Sequence, residues 1–369
     1  MQDNQTLFRS KGKKRRRNEN SILFASIILC LVTMSAITVC LAAVFRYRAA
    51  QIENVEALNL VEELRTENEQ RYTKEELDAI LEAETGLAAE KERDELLSGL
   101  KESLLSGEGV ESALRDLFPD EVVLAYSGEY YFFPILDTLK QHSYQRENYI
   151  ITDDGLIEYY EDGELISHMG IDVSRYQGKI NWNRVAADQV EFAFIRLGIR
   201  GYTEGEIIED ETFEDNIKGA LNNGIPVGVY FFTQALSIKE AEEEAGFVVD
   251  TLEPYGVDCP VILDVEIVLN EKARTRNLTK EERTQYCIAF CEKIKEAGYR
   301  PMIYGNLRTF FMLLDLEQLE DYDKWFAYYG KRPYYPYDFK VWQYTESGSV
   351  SGIEGEVDLN ISFEDWWND

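Results

Sequence analysis

Asp264 and Glu266 stand two residues apart in the run PVILDVEIVL. A segment so rich in Val, Ile and Leu, entered through Pro260, reads as a buried parallel strand. Residues i and i+2 of a strand point to one face, so both carboxylates emerge side by side. Acids at the end of an apolar strand are costly to bury, which argues for a cleft rather than a core. Adjacent carboxyls in a low-dielectric cleft push their pKa values apart, leaving one a proton donor and the other ionised. Glycoside hydrolysis needs that equipment. The competing reading is a strand-end pair that binds backbone amides or an arginine.

The rest of the composition narrows the chemistry. The chain has 369 residues and only two histidines, His142 and His168, so 169–369 contains none. That removes Ser-His-Asp and Cys-His nucleophile systems and His-ligated zinc from this region, and no metal or other cofactor is expected. Cys259, Cys287 and Cys291 leave an odd number outside the apolar amino-terminal span and imply no disulfide framework. The formal charge is −31, unevenly spread: seven Lys and Arg against two acids in 1–45, 11 against 30 in 46–168, and 20 against 37 in 169–369. So acidic a chain lacks the basic footprint of a nucleic-acid binder.

The acids must be positioned by the elements around them. From Met169 the chain alternates strand and helix, with predicted strands at 170–174, 192–198, 226–232, 260–266, 300–305, 323–329, 339–345 and 357–360. Helices are predicted over Glu211–Asn222, after a cap at Ser237 with Glu240, and after a cap at Thr279 with Glu282. About eight strands in ~200 residues, with helices between the earlier ones, predict an α/β barrel of the TIM-like kind. A doubly wound open sheet is the alternative, although no phosphate-binding Gly loop supports it. Functional side chains of such barrels gather at the carboxyl ends of strands. Those ends carry Asp172, Arg196, Tyr230, Asp264, Glu266, Tyr304, Tyr328, Gln343 and Asp358. Carboxylates for chemistry, amide and guanidinium for hydroxyl and acetamido groups, and rings for stacking make a sugar site. Tyr334, Tyr335 and Tyr337, near two prolines, suit packing or a sugar platform equally.

Four further segments precede the barrel. Residues 22–45 carry no charge, and about 24 residues at 1.5 Å rise span roughly 36 Å, enough for a ~30 Å hydrocarbon core. Seven basic residues in the segment 1–21 predict an uncleaved signal anchor with the amino end cytoplasmic and the bulk of the chain outside the cell membrane. Residues 46–115 are Glu-rich and helix-prone, an acidic stalk that leaves a coiled coil and the oligomeric state open. Residues 116–168 suggest a small β-rich linker module, with Asp154-Gly155 and Asp162-Gly163 as turn signals.

The segments GIDVSRYQGKINW, FAFIRLGIRGY, DETFEDNIKGALNNGIPVGVYFF, PVILDVE, GYRPMIYGN, DKWFAYY and VWQYTESGSVSGIEGEVDLN resemble, in order and spacing, glycoside hydrolase family 25, the Chalaropsis-type lysozymes. The resemblance covers about 169–369. It implies a flattened, incomplete (β/α) barrel and β-1,4-N-acetylmuramidase activity on the glycan strands of peptidoglycan. By position it makes Glu266 the general acid/base, Asp264 the residue that orients the 2-acetamido group, and Asp172 and Asp358 the first-strand and terminal acids. One departure is Phe231, where many relatives carry histidine after the tyrosine; this is expected to alter a substrate contact. A membrane-anchored hydrolase for local wall remodelling is the first expectation. A non-catalytic peptidoglycan-binding or assembly protein, or a hydrolase of another N-acetylhexosamine polymer, are the alternatives.

Overall fold

The computed structural model describes residues 79, 90, 91, 93–99, 101, 102, 105 and 109–368. The basic segment, the apolar span at 22–45 and most of the Glu-rich stalk lie outside the described residues. Among those described, no helix is long and apolar enough to cross a membrane.

Helix α1 (Gly109–Leu117) leads into a hairpin of β1 (Glu121–Tyr126) and β2 (Glu129–Pro134). Its two-residue turn has positive φ at both Ser127 and Gly128 (54° and 82°), the twist that antiparallel strands prefer. Strands β3 (Tyr149–Ile151), β4 (Ile157–Glu161) and β5 (Glu164–Leu165) form a three-stranded sheet, turning at the two predicted Asp-Gly pairs. Residues 116–168 thus carry strands, but they do not form a body with its own core. Val122, Leu124, Tyr149, Ile157 and Tyr159 are buried in the same apolar cluster as the strands and helices that follow, and one compact unit runs from Gly99 to the carboxyl end.

Eight strands close the barrel: β6 (His168–Val173), β7 (Phe192–Arg200), β9 (Val227–Phe232), β10 (Val261–Asp264), β11 (Pro301–Asn306), β12 (Asp323–Ala327), β13 (Val341–Gly348) and β14 (Val357–Ser362). The short β8 (Ile207–Glu209) pairs only with the end of β7. Neighbours from β6 through β13 run parallel, whereas β14 is antiparallel to both β13 and β6. Alternation sends Phe192, Phe194, Tyr230, Ile262, Met302, Trp325 and Val341 into the barrel interior. Room for two of those rings comes from glycine. Gly170 pairs with Phe192 and Gly228 with Phe194, and a Cβ at either glycine would stand 2.2 Å or 2.8 Å from the partner ring.

Helices α2 (Trp182–Val185), α3 (Phe213–Asn222), α4 (Ile238–Leu252) and α5 (Lys280–Glu296) cover the outside of the earlier strands. Ser237 caps α4, and Thr279 with Glu282 forms a complete capping box on α5, as the sequence predicts. Helix α3 begins two residues later than expected because Asp210 Oδ1 accepts from both the backbone and the hydroxyl of Thr212, holding that residue as the cap. Cys259, Cys287 and Cys291 are free and buried. No helix connects β12 to β13 or β13 to β14, so the barrel is incomplete on that side.

Candidate active site

Strand alternation brings most of the predicted residues to one end of the barrel interior. Asp172, Arg196, Tyr230, Asp264, Tyr304 and Gln343 keep the inward parity of their strands. Asp358 joins them by a different route: it lies at the amino end of β14, not the carboxyl end that the sequence reading supposes. Because β14 runs antiparallel, that end faces the same side, and Asp358 pairs in register with Asp172. His168 begins β6 at the opposite end and is bound to Glu191 at 2.7 Å.

The strand carrying the paired acids ends at Asp264, so Glu266 stands just beyond it, on the loop. The chain keeps its extended course there: Val265 N–H still donates to the Tyr304 carbonyl at 3.2 Å. The Asp264 and Glu266 carboxyls are near enough for each to shift the pKa of the other. Burial, and then the charge of Glu266, push Asp264 well above the ordinary carboxylate range. Burial raises Glu266 too, against the opposing effect of the hydrogen bond with Asp264. One proton shared by the two carboxyls satisfies both. Asp264 Oδ1 is buried and receives no hydrogen bond, which leaves an acceptor in the cleft for a substrate N–H or O–H.

Asp172 is held by amides. Its Oδ2 accepts from Gln343 Nε2 at 2.8 Å and from Asn360 Nδ2 at 2.9 Å. Gln343 is oriented in turn by the hydroxyls of Tyr304 and Tyr329, which donate to Oε1 at 2.9 and 3.1 Å. Asn360 is oriented by Trp325 Nε1 at 2.8 Å. Burial and the charge of Asp358 raise the Asp172 pKa, and the two amide donors oppose that rise. Asp358 is pushed up to about 6 by burial and by Glu346.

Arg196 is committed to a partner. Its Nε donates to Asp210 Oδ2 at 2.7 Å and Nη2 lies 2.6 Å from the same oxygen. The ion pair fixes the guanidinium at the edge of the cleft, 5.1 Å from the ring of the exposed Tyr176. Its charge lowers the Asp264 pKa, though by less than burial and Glu266 raise it.

Three expectations need correction. Tyr328 lines the cleft, but its parity is that of Phe326, with which it stacks at 6.0 Å, and its hydroxyl accepts from Arg115 Nη1 at 2.7 Å. Tyr329, in phase with the inward Trp325, is the residue that reaches Gln343. Phe231 faces away from the interior, fully buried and edge-on to Phe247 of α4 at 6.2 Å, so it makes no contact with a ligand in the cleft. Tyr334 and Tyr337 accept backbone N–H bonds from Val123 and Leu136, and Tyr335 is buried, so the three tyrosines pack the amino-terminal strands rather than offer a sugar platform. Asn360, Asp210 and Tyr329 were absent from the sequence reading. The i, i+2 spacing of Asp358 and Asn360, and the alternation from Trp325 to Tyr329, are the signals that point to two of them.

An eight-stranded barrel with four clustered carboxyls at one end is suited to glycoside hydrolysis. Residues 171–353 match the family described as Glycosyl hydrolases family 25. The YegX protein of Escherichia coli strain K12 is 32% identical over 200 residues, covering 52% of this chain and 68% of that protein. The autolytic lysozyme of Clostridium acetobutylicum is 28% identical over 192 residues, covering 52% of this chain and 54% of its own length. Lysozyme M1 of Streptomyces globisporus is 27% identical over 201 residues, covering 52% of this chain and 66% of its own. The chain belongs to glycosyl hydrolases family 25, and its activity is that of a glycoside hydrolase.

Proposed function

We propose that this chain is a muramidase that cleaves the β-1,4 bond between N-acetylmuramic acid and N-acetylglucosamine in peptidoglycan. The observation that carries the reading is the Asp264–Glu266 pair, a buried and a half-buried carboxyl side by side at the end of β10, with Glu266 lining a sugar-sized cleft. The names of the clostridial and streptomycete relatives support the substrate class. Glu266 is the general acid: its raised pKa keeps a proton available for the leaving oxygen. Asp264 accepts the 2-acetamido N–H on its vacant Oδ1 and steadies the positive charge that develops on the sugar. Asp172 and Asp358 hold the opposite wall, with Gln343, Tyr304 and Tyr230 as contacts for hydroxyl groups and rings, and Arg196 at the rim. Incubation of the protein with purified peptidoglycan tests this. New reducing ends of N-acetylmuramic acid are expected. Reducing N-acetylglucosamine, or cleavage of chitin alone, would contradict it.

The rate should fall on both sides of a pH optimum. At high pH the shared proton is lost and no donor remains; at low pH both carboxyls are protonated and Asp264 cannot stabilise positive charge. The two apparent values belong to the pair rather than to either residue. Since both groups are raised, the alkaline limb should lie above the ordinary carboxylate value of about 4.3. A profile of kcat/KM over roughly pH 4 to 9 reads this. A rate that climbs without limit toward alkaline pH would remove Glu266 as the donor.

The apolar span at 22–45 and the basic residues before it support an anchored enzyme facing the wall, with the peptidoglycan hydrolase domain outside the cell. An anchored enzyme cannot diffuse to distant wall, so its role is local remodelling. Protease added to intact, wall-stripped cells should remove the hydrolase domain. Its full protection would reverse the orientation.

A further inference from the structure

A cavity of about 800 Å³ runs from Glu266 and Tyr304 to the amino-terminal segment, where Glu111, Arg115 and Ala125 form its far wall. Those wall residues lie outside 171–353, the stretch matched to the family. The wall is fastened firmly. Arg115 Nη1 donates to the Tyr328 hydroxyl at 2.7 Å, and its guanidinium lies 3.8 Å from the centre of the Tyr334 ring. Val123 N–H donates to the Tyr334 hydroxyl at 2.9 Å. Arg115 also pairs with Glu111 at 2.6 Å, so these two charges offset one another.

Two other cations line the same cavity. Arg308 lies on the ring of Tyr126, 3.6 Å from its centre, and donates to that hydroxyl. Lys331 is exposed. Neither has a carboxylate partner among the described residues, although acids outnumber bases 37 to 20 over 169–369. The hydroxyl and acetamido groups of a plain hexosamine chain carry no charge for them to meet. Cations left unpaired along a cleft point to an anionic ligand group, for which guanidinium and ammonium are the usual partners.

We propose that α1 and β1 extend the cleft into an added subsite, in which Arg308 and Lys331 hold a carboxylate borne by the glycan. The inference rests on the muramidase reading, since a muramic sugar carries such a group as its free lactyl carboxylate or on a peptide stem. The segment that the sequence presents as a linker is thereby part of the substrate site.

The test uses the full chain carrying Glu266→Gln, so that binding is measured without turnover. Calorimetric titration with soluble glycan strands, either bearing peptide stems or stripped of them by an amidase, is compared with and without Lys331→Glu. Lys331→Glu should weaken binding roughly tenfold, the scale of one charge-assisted contact in a half-open cleft. Lys331→Arg should restore it, and Ala125→Trp, at an exposed position on the far wall, should weaken it by obstruction. A loss confined to stem-bearing strands identifies a stem carboxylate; a loss confined to stripped strands identifies the lactyl group. Equal affinity with Lys and Glu at 331 for both ligands overturns the subsite while leaving the muramidase reading intact. If the unsubstituted chain releases no reducing ends from peptidoglycan, both fall together.

Discussion

Replacing Glu266 by Gln should lower kcat by about 10²–10⁴-fold, the usual cost of losing a general acid. Glutamine keeps the size and shape of the side chain and can still hydrogen-bond to Asp264, so the fold and the binding of glycan should survive. What it lacks is an acidic proton for the leaving oxygen. The loss should therefore appear in kcat with KM changed little, the sign of an interaction made only in the transition state. Glu266 stands past the end of β10, where burial has raised its pKa without sealing it from the cleft. A variant that kept more than half of the original rate would mean that another acid, with Asp358 the nearest in character, supplies the proton.

Asp264→Asn should give the second largest loss, about 10²–10³-fold in kcat by comparison with the removal of one preorganised electrostatic group. Its effect on stability should run the other way. Asp264 is buried, and its folded pKa is raised chiefly by burial. A raised carboxyl contributes stability that is fully present below the unfolded value of about 3.9 and is lost as pH rises through the folded value. At neutral pH the native protein therefore bears the cost of keeping that charge or its proton. The asparagine removes it while preserving shape. Thermal unfolding at neutral pH should shift upward by roughly 2–4 °C, the change that about 1 kcal/mol produces in a domain of this size. The gain should shrink as pH falls toward 4. A variant that lost both activity and stability would make Asp264 a structural residue and return the pair to its simplest reading, a strand-end hydrogen-bonding device.

Parity explains what the sequence made legible. Seven of the barrel strands enter as apolar runs, and their inward positions can be counted by twos from any residue of known direction. That rule brings Asp172, Arg196, Tyr230, Asp264, Tyr304 and Gln343 together. It failed where a direction was misjudged: β14 runs antiparallel, so Asp358 begins its strand instead of ending it. Counting by twos past the end of β12 leads from Trp325 to Tyr329 rather than to Tyr328, whose parity is that of Phe326. Asp210 carries no periodic signal, since it lies on a connection and is found only through its pairing with Arg196. The contribution of 109–126 was illegible for a related reason. Arg115 meets Tyr328 across 213 residues of chain, a pairing that only the tertiary fold creates.

Asp264 and Glu266 are expected to approach the sugar from one side, with the substrate's own 2-acetamido group assisting. Carboxyls two residues apart at the end of one strand face the sugar from the same side, whereas the carboxyls of a direct nucleophile pair or of an inverting pair flank the bond at ~5–5.5 Å or ~6.5–9.5 Å. Assistance by the neighbouring acetamido group passes through two displacements at the same carbon and returns the original configuration. Proton NMR of the first-formed reducing sugar, taken before mutarotation, reads the outcome directly. The β anomer is expected as the initial product, with no sugar ester on Asp264. An initial α anomer, or a glycosyl adduct trapped on Asp264, would contradict it.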